Sequence, residues 1–232
     1  LGLGAVTMLY GALGAVSQRE WRRILSFTVM GSVGYLAFGV GLGTPDALRA
    51  ALVYVAVSVL VTLAMFLIAA VAERAGGTPL TRHRRGFIDR MPLLAASYLL
   101  CALTVAGLPP TAGFVAKYAL VRAGIAQGST LAIIAVVCAL LASLITLYAL
   151  LSVWRDFFWG KADKTQPIHP VPDAQQAPAY VASALGAGLS LFAGPLFTHA
   201  EATTRELSDL ERRQQQARAE FEAIFQAMQD AA

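Results

Sequence analysis

Apolar positions along this chain fall into long runs that charged residues do not interrupt. Five runs have the roughly 20 apolar residues that an α-helix needs to cross the hydrocarbon core of a bilayer, and a sixth, Leu1–Val16, is slightly shorter. The five are Ile24–Leu42, Ala50–Ala72, Met91–Ala116, Ala123–Trp154 and Ala174–Ala200. The pattern predicts an all-α protein, a polytopic transmembrane helix bundle of about six spans.

The span that begins at Met91 is interrupted in its middle by Pro109 and Pro110. Proline removes a backbone donor and clashes with the preceding turn, so it breaks a helix. Unwound backbone at membrane depth is tolerated only where protein or a water-filled cavity surrounds it. We therefore expect a discontinuous helix, whose break comprises Gly107, Leu108, Pro109, Pro110 and Gly113.

Lys117 stands just beyond this break and within the same apolar run. An ionisable group inside a span is energetically costly and typically belongs to an ion or proton pathway. A simpler alternative is that Lys117 extends its ammonium to the membrane interface, as lysines near span ends do. Arg122, five residues later, is compatible with that alternative.

The third span offers only hydroxyls as candidate polar lining. Ser58 and Thr62 are one helical turn apart and share a face, while no group from Ala50 to Ala72 titrates near neutral pH. Hydroxyls can order water but do not hold a proton at that pH. Ser58 and Thr62 are therefore candidates for a water-lined relay, although each could simply bond to the carbonyl four residues earlier.

The pattern changes in the tail, where apolar residues alternate with charges at helical spacing. Residues 1–199 are predicted to form the transmembrane domain and residues 200–232 an amphipathic helix on the membrane surface or against a partner. Its apolar stripe comprises Leu207, Leu210, Phe221, Ile224, Phe225 and Met228. Because the first residue is Leu1 and lies inside an apolar run, we expect the sequence to be the C-terminal piece of a longer protein.

Composition supports the membrane assignment, since 57% of the residues are hydrophobic and only 14% are charged. Soluble domains have about 45–50% and about 25% respectively. Basic residues concentrate in the first, third and fifth connections, the last of which is the predicted loop Lys161–Gln176. The positive-inside rule places these connections in the cytoplasm and the C-terminal tail outside.

The sequence lacks the signatures of self-contained enzymatic chemistry. It contains no phosphate-binding glycine loop, no nucleophile elbow and no metal-ligand spacing, and Cys101 and Cys138 fall inside apolar spans. We therefore expect no cofactor, no metal and no nucleic-acid partner.

Three segments together resemble a known family, the proton-translocating antiporter-like membrane subunits. They are SQREWRRILSFTVMGSVGYLAFGVGL, AGLPPTAGFVAKYALVRAG and SLITLYALLSVWRDFFWG. The family includes large membrane subunits of respiratory complex I and of Mrp-type cation/proton antiporters, and the order of the motifs is most similar to the D-type subunit of the Mrp antiporters. The resemblance extends from Leu1 to about His199, with the segment around Lys117 as its most specific part.

This resemblance implies a subunit of a hetero-oligomeric monovalent cation (sodium)/proton antiporter in the bacterial inner membrane, a transporter rather than an enzyme. It implies that Lys117 ends a proton path toward the outer surface, with protons, monovalent cations, lipid and neighbouring subunits as partners. Ser58 and Thr62 depart from the titratable side chains that relatives carry in a central relay. Two alternatives stay open: a proton-pumping subunit of a complex I-type NADH:quinone oxidoreductase, and a structural member that does not conduct.

Overall fold

The computed structural model describes residues 1–81, 86–160 and 169–191. Within these ranges the chain is all-α, as predicted, with seven α-helices and one isolated β-bridge between Glu20 and Leu80. The helices are α1 (Gly2–Ser17), α2 (Trp21–Leu42), α3 (Pro45–Gly76), α4 (Pro92–Ala106), α5 (Ala112–Gln127), α6 (Thr130–Val153) and α7 (Asp173–Leu191). A 3-10 turn at Phe87–Asp89 precedes α4, and a π-helical turn at Trp154–Phe158 continues α6.

Helices α1 and α2 form a hairpin in which glycines allow the two backbones to touch. A Cβ on Gly11 would overlap the backbone of Gly31, and a Cβ on Gly34 would lie 2.7 Å from Cγ of Met8. Without a hydrophobic driving force between helices in lipid, close backbone approach through small residues gives the dispersion contacts that hold such pairs together. The hairpin in turn packs against α6.

Helix α3 is the central element, since α2, α4, α5 and α7 all pack against it. Thr44 caps its first turn by accepting a hydrogen bond from the Ala47 amide, and Pro45 occupies the first helical position. Its 32 residues correspond to about 48 Å at 1.5 Å per residue, which exceeds the roughly 30 Å hydrocarbon core. Both ends of α3 therefore extend beyond the predicted span Ala50–Ala72.

Aromatic side chains join α2, α4 and the π-helical turn at one end of the bundle. The ring centroid of Trp21 lies 5.4 Å from that of Tyr98 and 5.0 Å from that of Phe157, both edge-on. At the same end an ion pair of 2.9 Å between Arg22 and Glu73 links α2 to α3. These contacts fix α4 against its neighbours, and α4 carries one side of the break.

Two predicted boundaries are wrong. Residues 123–127 of the predicted span Ala123–Trp154 complete α5, because Gly128 ends that helix with a left-handed φ of 71° and Ser129 caps α6 by accepting from the Ala132 amide. The predicted loop Lys161–Gln176 is also too long, because α7 begins at Asp173. The tail helix predicted for residues 200–232 lies outside the described residues.

Three of the described helices are long and apolar enough to cross a membrane: Trp21–Leu42, Pro45–Gly76 and α6 with its π-helical turn, Thr130–Phe158. The shorter helices α1 and α4 are also apolar. Large apolar side chains remain exposed along one face of α1 and over much of α6, such as Leu3, Tyr10, Val137 and Leu144. These faces fit contact with lipid or with other protein.

Candidate functional site

The break between α4 and α5 lies where the sequence predicts it. Gly107 ends α4 with a φ of 82°, and its amide donates to the carbonyls of Leu103 and Thr104. Thr111 begins α5: its hydroxyl donates to the Leu108 carbonyl at 2.7 Å and accepts from the Phe114 amide. Residues 107–111, which include Leu108, Pro109 and Pro110, therefore form a short, locally hydrogen-bonded connection between two helices.

Lys117 closes this break from the α5 side. Its side chain is buried, and Nζ donates to the Val105 carbonyl at 2.8 Å and to the Ala106 carbonyl at 3.3 Å. The last carbonyls of a helix have no partner within the helix, and cations are favoured beside them by the helix dipole. The ammonium thus replaces the hydrogen bonds that the break removes, and it does not extend to the interface.

A third hydrogen bond and an aromatic ring complete the surroundings of the ammonium. Nζ donates to Ser143 Oγ on α6 at 3.2 Å, and it lies 4.4 Å from the ring centroid of Tyr35 on α2. Attraction of a cation to a ring face is typical within about 6 Å. The hydroxyl of Tyr35 lies 2.6 Å from Ser143 Oγ and donates to the Ala139 carbonyl. Lys117 is therefore held from three other helices, α2, α4 and α6.

Two glycines make room for this arrangement. A Cβ on Gly113 would overlap the carbonyl oxygen of Thr104, so the start of α5 can approach the end of α4 only without a side chain there. A Cβ on Gly107 would lie 2.8 Å from Cδ of Lys117. Both glycines are predicted break residues and both shape the lysine site sterically, but Gly113 lies in the first turn of α5 and not in the break itself, because Thr111 already caps that helix.

Lys117 faces a cavity of about 440 Å³. The cavity is bounded by the break, α5 and α6, and its polar groups include Lys117, Ser143, Tyr35 and Tyr118. The cavity is large enough to admit water, but its lining is mainly apolar and includes Leu140 and Leu144 on the exposed face of α6. Lys117 therefore has hydrogen-bond partners for its charged form and borders a space that is large enough for water.

Ser58 and Thr62 border a second space. Both line a cleft of about 270 Å³ between α2 and α3, together with Ser32 and Tyr54. Tyr54 precedes Ser58 by one helical turn and shares its face of α3. Ser58 and Thr62 therefore share the face of α3 that borders this cleft, and neither is hydrogen-bonded to Lys117, although Ser58 also lines a small cavity with Thr104, Val105 and Gly113 beside the helix break.

The two polar regions meet at a pair of tyrosines. The ring centroids of Tyr35 and Tyr54 are 5.4 Å apart, so Tyr35 contacts the lysine on one side and Tyr54 on the other. Sequence reasoning missed Tyr35, Tyr54 and Ser143. Their only signal is that each is a polar group inside an apolar run, and that signal does not say which of them face each other.

Metal ligation is not suggested by the described part of the chain, where no three His, Cys, Asp or Glu side chains cluster. Cys101 is buried and Cys138 is half-buried, and neither is in a disulfide. The chemistry that this site offers is proton and hydrogen-bond exchange at the ammonium of Lys117.

Comparison with known proteins gives a consistent result. Residues 1–146 match the family described as NADH:quinone oxidoreductase/Mrp antiporter, transmembrane. The D-type subunit of the Na(+)/H(+) antiporter of Alkalihalophilus pseudofirmus is 37% identical over 164 residues, which cover 71% of this chain and 33% of that protein. An N-type subunit of the NADH-quinone oxidoreductase of Sorangium cellulosum is 31% identical over 166 residues, 71% of this chain and 33% of that protein.

Solved structures show the same fold. A chain of the Mrp complex from Dietzia sp. superimposes with a TM-score of 0.81 at 26% identity, over 89% of this chain and 46% of that chain. The present chain spans about a third of the length of the curated relatives it matches. The matched residues 1–146 contain the helix break and Lys117, and the similarity covers only part of each relative.

Proposed function

Because the chain belongs to the NADH:quinone oxidoreductase/Mrp antiporter transmembrane family, we propose that it contributes a proton-translocating half-channel to a multisubunit monovalent cation (sodium)/proton antiporter. The observation that carries the proposal is the position of Lys117. Its ammonium is buried at a helix break beside a cavity of about 440 Å³. A charge with that burial inside a span is a mark of an ion or proton path.

The arrangement fits proton transfer better than cation binding. The atoms around the site are the donors of an ammonium and the carbonyls that accept from it, and a sodium ion requires oxygen ligands without a competing positive charge. Lys117 can lose a proton to water and regain it, which a fixed cation such as arginine effectively cannot do. The half-channel accordingly moves protons, and the coupled cation crosses elsewhere in the complex.

A direct test uses the full-length protein with its companion subunits in inverted membrane vesicles. An imposed pH gradient should collapse on addition of sodium, without any electron donor, and the collapse should be lost when this subunit is deleted. Vesicles that respond to sodium equally well without the subunit would contradict the proposal. Potassium and lithium in the same assay identify the coupling cation.

A complex I-type proton-pumping subunit is the second candidate, and the NADH-quinone oxidoreductase relative at 31% identity favours it. The same vesicle assay distinguishes the antiporter subunit from a complex I-type subunit. For a complex I-type subunit, sodium alone leaves the pH gradient unchanged, and proton movement requires NADH and a quinone. A structural member that does not conduct would instead allow complex assembly while replacement of Lys117 changes neither activity.

Orientation follows from the arginines. The connection between α1 and α2 and the first turn of α2 contain Arg19, Arg22 and Arg23, and the positive-inside rule assigns this end of the bundle to the cytoplasm. The opposite end, at the α2–α3 connection, is then external. The bacterial relatives support a location in the inner membrane. Five crossings, by α2, α3, the broken α4–α5 helix, α6 and α7, separate the cytoplasmic α1–α2 connection from the C-terminal tail, which is therefore external.

Cysteine labelling checks this orientation in right-side-out vesicles of a variant from which all natural cysteines have been removed. Asp46→Cys, where the native side chain is 79% exposed, should react with a membrane-impermeant maleimide. Arg23→Cys, where it is 65% exposed, should react only after permeabilisation. The two sites are matched controls for each other because both lie in the first turns of helices. Labelling of Arg23→Cys alone would reverse the orientation.

A further inference from the structure

The hydrogen bonds around Lys117 have a defined direction. The Ala139 carbonyl can only accept, so the single hydroxyl hydrogen of Tyr35 points to it. Tyr35 must then accept from Ser143, whose Oγ lies 2.6 Å away, and Ser143 accepts in turn from Lys117 Nζ. The chain runs from ammonium to Ser143, to Tyr35 and to the Ala139 carbonyl. This direction suits a lysine that carries its proton, because an ammonium has three donors and no acceptor.

We propose that Tyr35 and Ser143 form a reversible hydroxyl pair that keeps Lys117 hydrogen-bonded in both of its protonation states. The inference rests on the proposed function, in which Lys117 gains and loses a proton. When the ammonium gives a proton to water in the cavity, the neutral amine has two N–H donors and one lone pair. Those donors remain on the carbonyls of Val105 and Ala106, and the lone pair needs a donor.

Ser143 supplies that donor if its hydroxyl rotates. Its hydrogen then points to Nζ, and the hydroxyl of Tyr35 turns from the Ala139 carbonyl to donate to Ser143 Oγ. The number of hydrogen bonds at the amine and at Ser143 is unchanged, and the Ala139 carbonyl keeps its bond within α6. A buried amine whose lone pair lacks a donor is disfavoured, so the pair stabilises the neutral state that follows proton release.

The local backbone explains why a serine alone does not suffice. A helical serine or threonine commonly donates to the carbonyl four residues earlier. Seven described hydroxyls do this, those of Thr7, Ser26, Thr28, Ser32, Thr104, Ser152 and Ser183. For Ser143 that carbonyl belongs to Ala139, which Tyr35 occupies instead. Tyr35 therefore keeps Ser143 available to act as acceptor or donor, and it is a positioning residue.

The groups that face Lys117 include no competing acid among the described residues. Helix α4 presents backbone carbonyls, α6 presents Ser143, and α2 presents Tyr35, with Tyr54 of α3 behind it. Tyr118, the next residue on α5, is the other titratable group that lines the cavity. A change in the pH dependence of exchange after substitution of Tyr35 would therefore report on Lys117 and its hydroxyl partners.

The experiment measures sodium-dependent proton exchange against pH for the full-length protein in its assembled complex. Tyr35→Phe keeps the ring over the ammonium and removes only the hydroxyl. Ser143 then turns its hydrogen to the Ala139 carbonyl and offers Lys117 only a lone pair. We expect exchange to fall about threefold to tenfold and the midpoint of the pH profile to move by about 0.5–1 unit to higher pH.

Matched variants separate a positioning role from packing. Tyr98→Phe is the control, because Tyr98 is also a buried tyrosine that donates to a carbonyl of α6, that of Leu150 at 3.0 Å. It should leave the pH profile in place. Ser143→Ala should lower exchange and Ser143→Thr should restore it. The double variant Tyr35→Phe/Ser143→Ala should retain as much exchange as the less active of the two single variants, because the effects of residues that act as a unit are not additive.

An unshifted pH profile in assembled Tyr35→Phe, or additive losses in the double variant, would overturn the inference. If Tyr35→Phe does not assemble, the two Ser143 variants test the inference. Equal exchange in Ser143→Ala and Ser143→Thr overturns it, whereas lower exchange in Ser143→Ala than in Ser143→Thr supports it. Lys117→Ala in the same vesicles keeps the two proposals apart. Full exchange in Lys117→Ala would contradict the proposed function, whereas loss there with an unchanged Tyr35→Phe contradicts only the hydroxyl pair.

Discussion

Replacement of Lys117 by alanine lowers proton-coupled exchange by about a hundredfold or more, the range typical of a lost proton-transfer group. The complex should still assemble, because the substitution removes volume rather than adding it. The carbonyls of Val105 and Ala106 lose their donor, and Ala106 borders the cavity of about 440 Å³, which is large enough for water to replace part of that hydrogen bonding.

Replacement of Lys117 by arginine is the more informative variant. Arginine keeps the positive charge and can still donate to the α4 carbonyls, but its guanidinium does not lose a proton in proteins. We expect exchange to fall nearly as far as in Lys117→Ala. Lys117→Glu should retain part of the activity, because glutamate also titrates, although it reverses the charge beside the α4 carbonyls.

The measurement is sodium-dependent proton efflux from vesicles that contain the complete complex, with the amount of assembled complex determined in parallel. Arg122→Gln is the matched control. It removes a positive charge from the same helix five residues later, at an exposed position, and should leave exchange within about twofold, as expected for a surface charge. Normal exchange in Lys117→Arg would show that positive charge is sufficient and that Lys117 does not carry the proton.

The break and its lysine could be predicted from the sequence because their signals are local. Prolines in an apolar run identify an interrupted span wherever it packs, and a lysine in that run is conspicuous. The end of α5 and the beginning of α6 are also encoded locally, by Gly128 and Ser129 respectively. Because long hydrophobic runs flank these two residues on both sides, the sequence pattern assigns residues 123–127 to the wrong span.

The hydroxyl partners of Lys117 could not be predicted because they come from distant parts of the chain. Tyr35 on α2 and Ser143 on α6 become neighbours only when the bundle closes around α5. Ser58 and Thr62 were equally conspicuous in the sequence, yet they line the cleft between α2 and α3. Which hydroxyl meets the lysine is decided by helix packing, and packing here depends on glycines whose role is steric.

Gly113→Ala should be the most damaging single-methyl substitution near the site. The added Cβ would overlap the Thr104 carbonyl oxygen, which is backbone and cannot rotate away. Helix α5 must then move relative to α4, and overpacking of this kind typically costs about 1–3 kcal/mol. Because Lys117 follows Gly113 by one helical turn, the same movement withdraws Nζ from the carbonyls of Val105 and Ala106. We expect a lower unfolding temperature together with a loss of exchange of about tenfold or more.

The matched control is Gly188→Ala on α7, where a Cβ would have no heavy atom within 4 Å. That substitution should preserve both exchange and the unfolding temperature, since alanine is the better helix former where nothing obstructs it. Thermal unfolding of the purified complex and vesicle exchange are measured for both variants. If Gly113→Ala retains exchange at the wild-type level, the close approach of α5 to the end of α4 is not what positions the lysine. If only its stability falls, Gly113 serves packing alone, and the geometry at Lys117 tolerates the displacement.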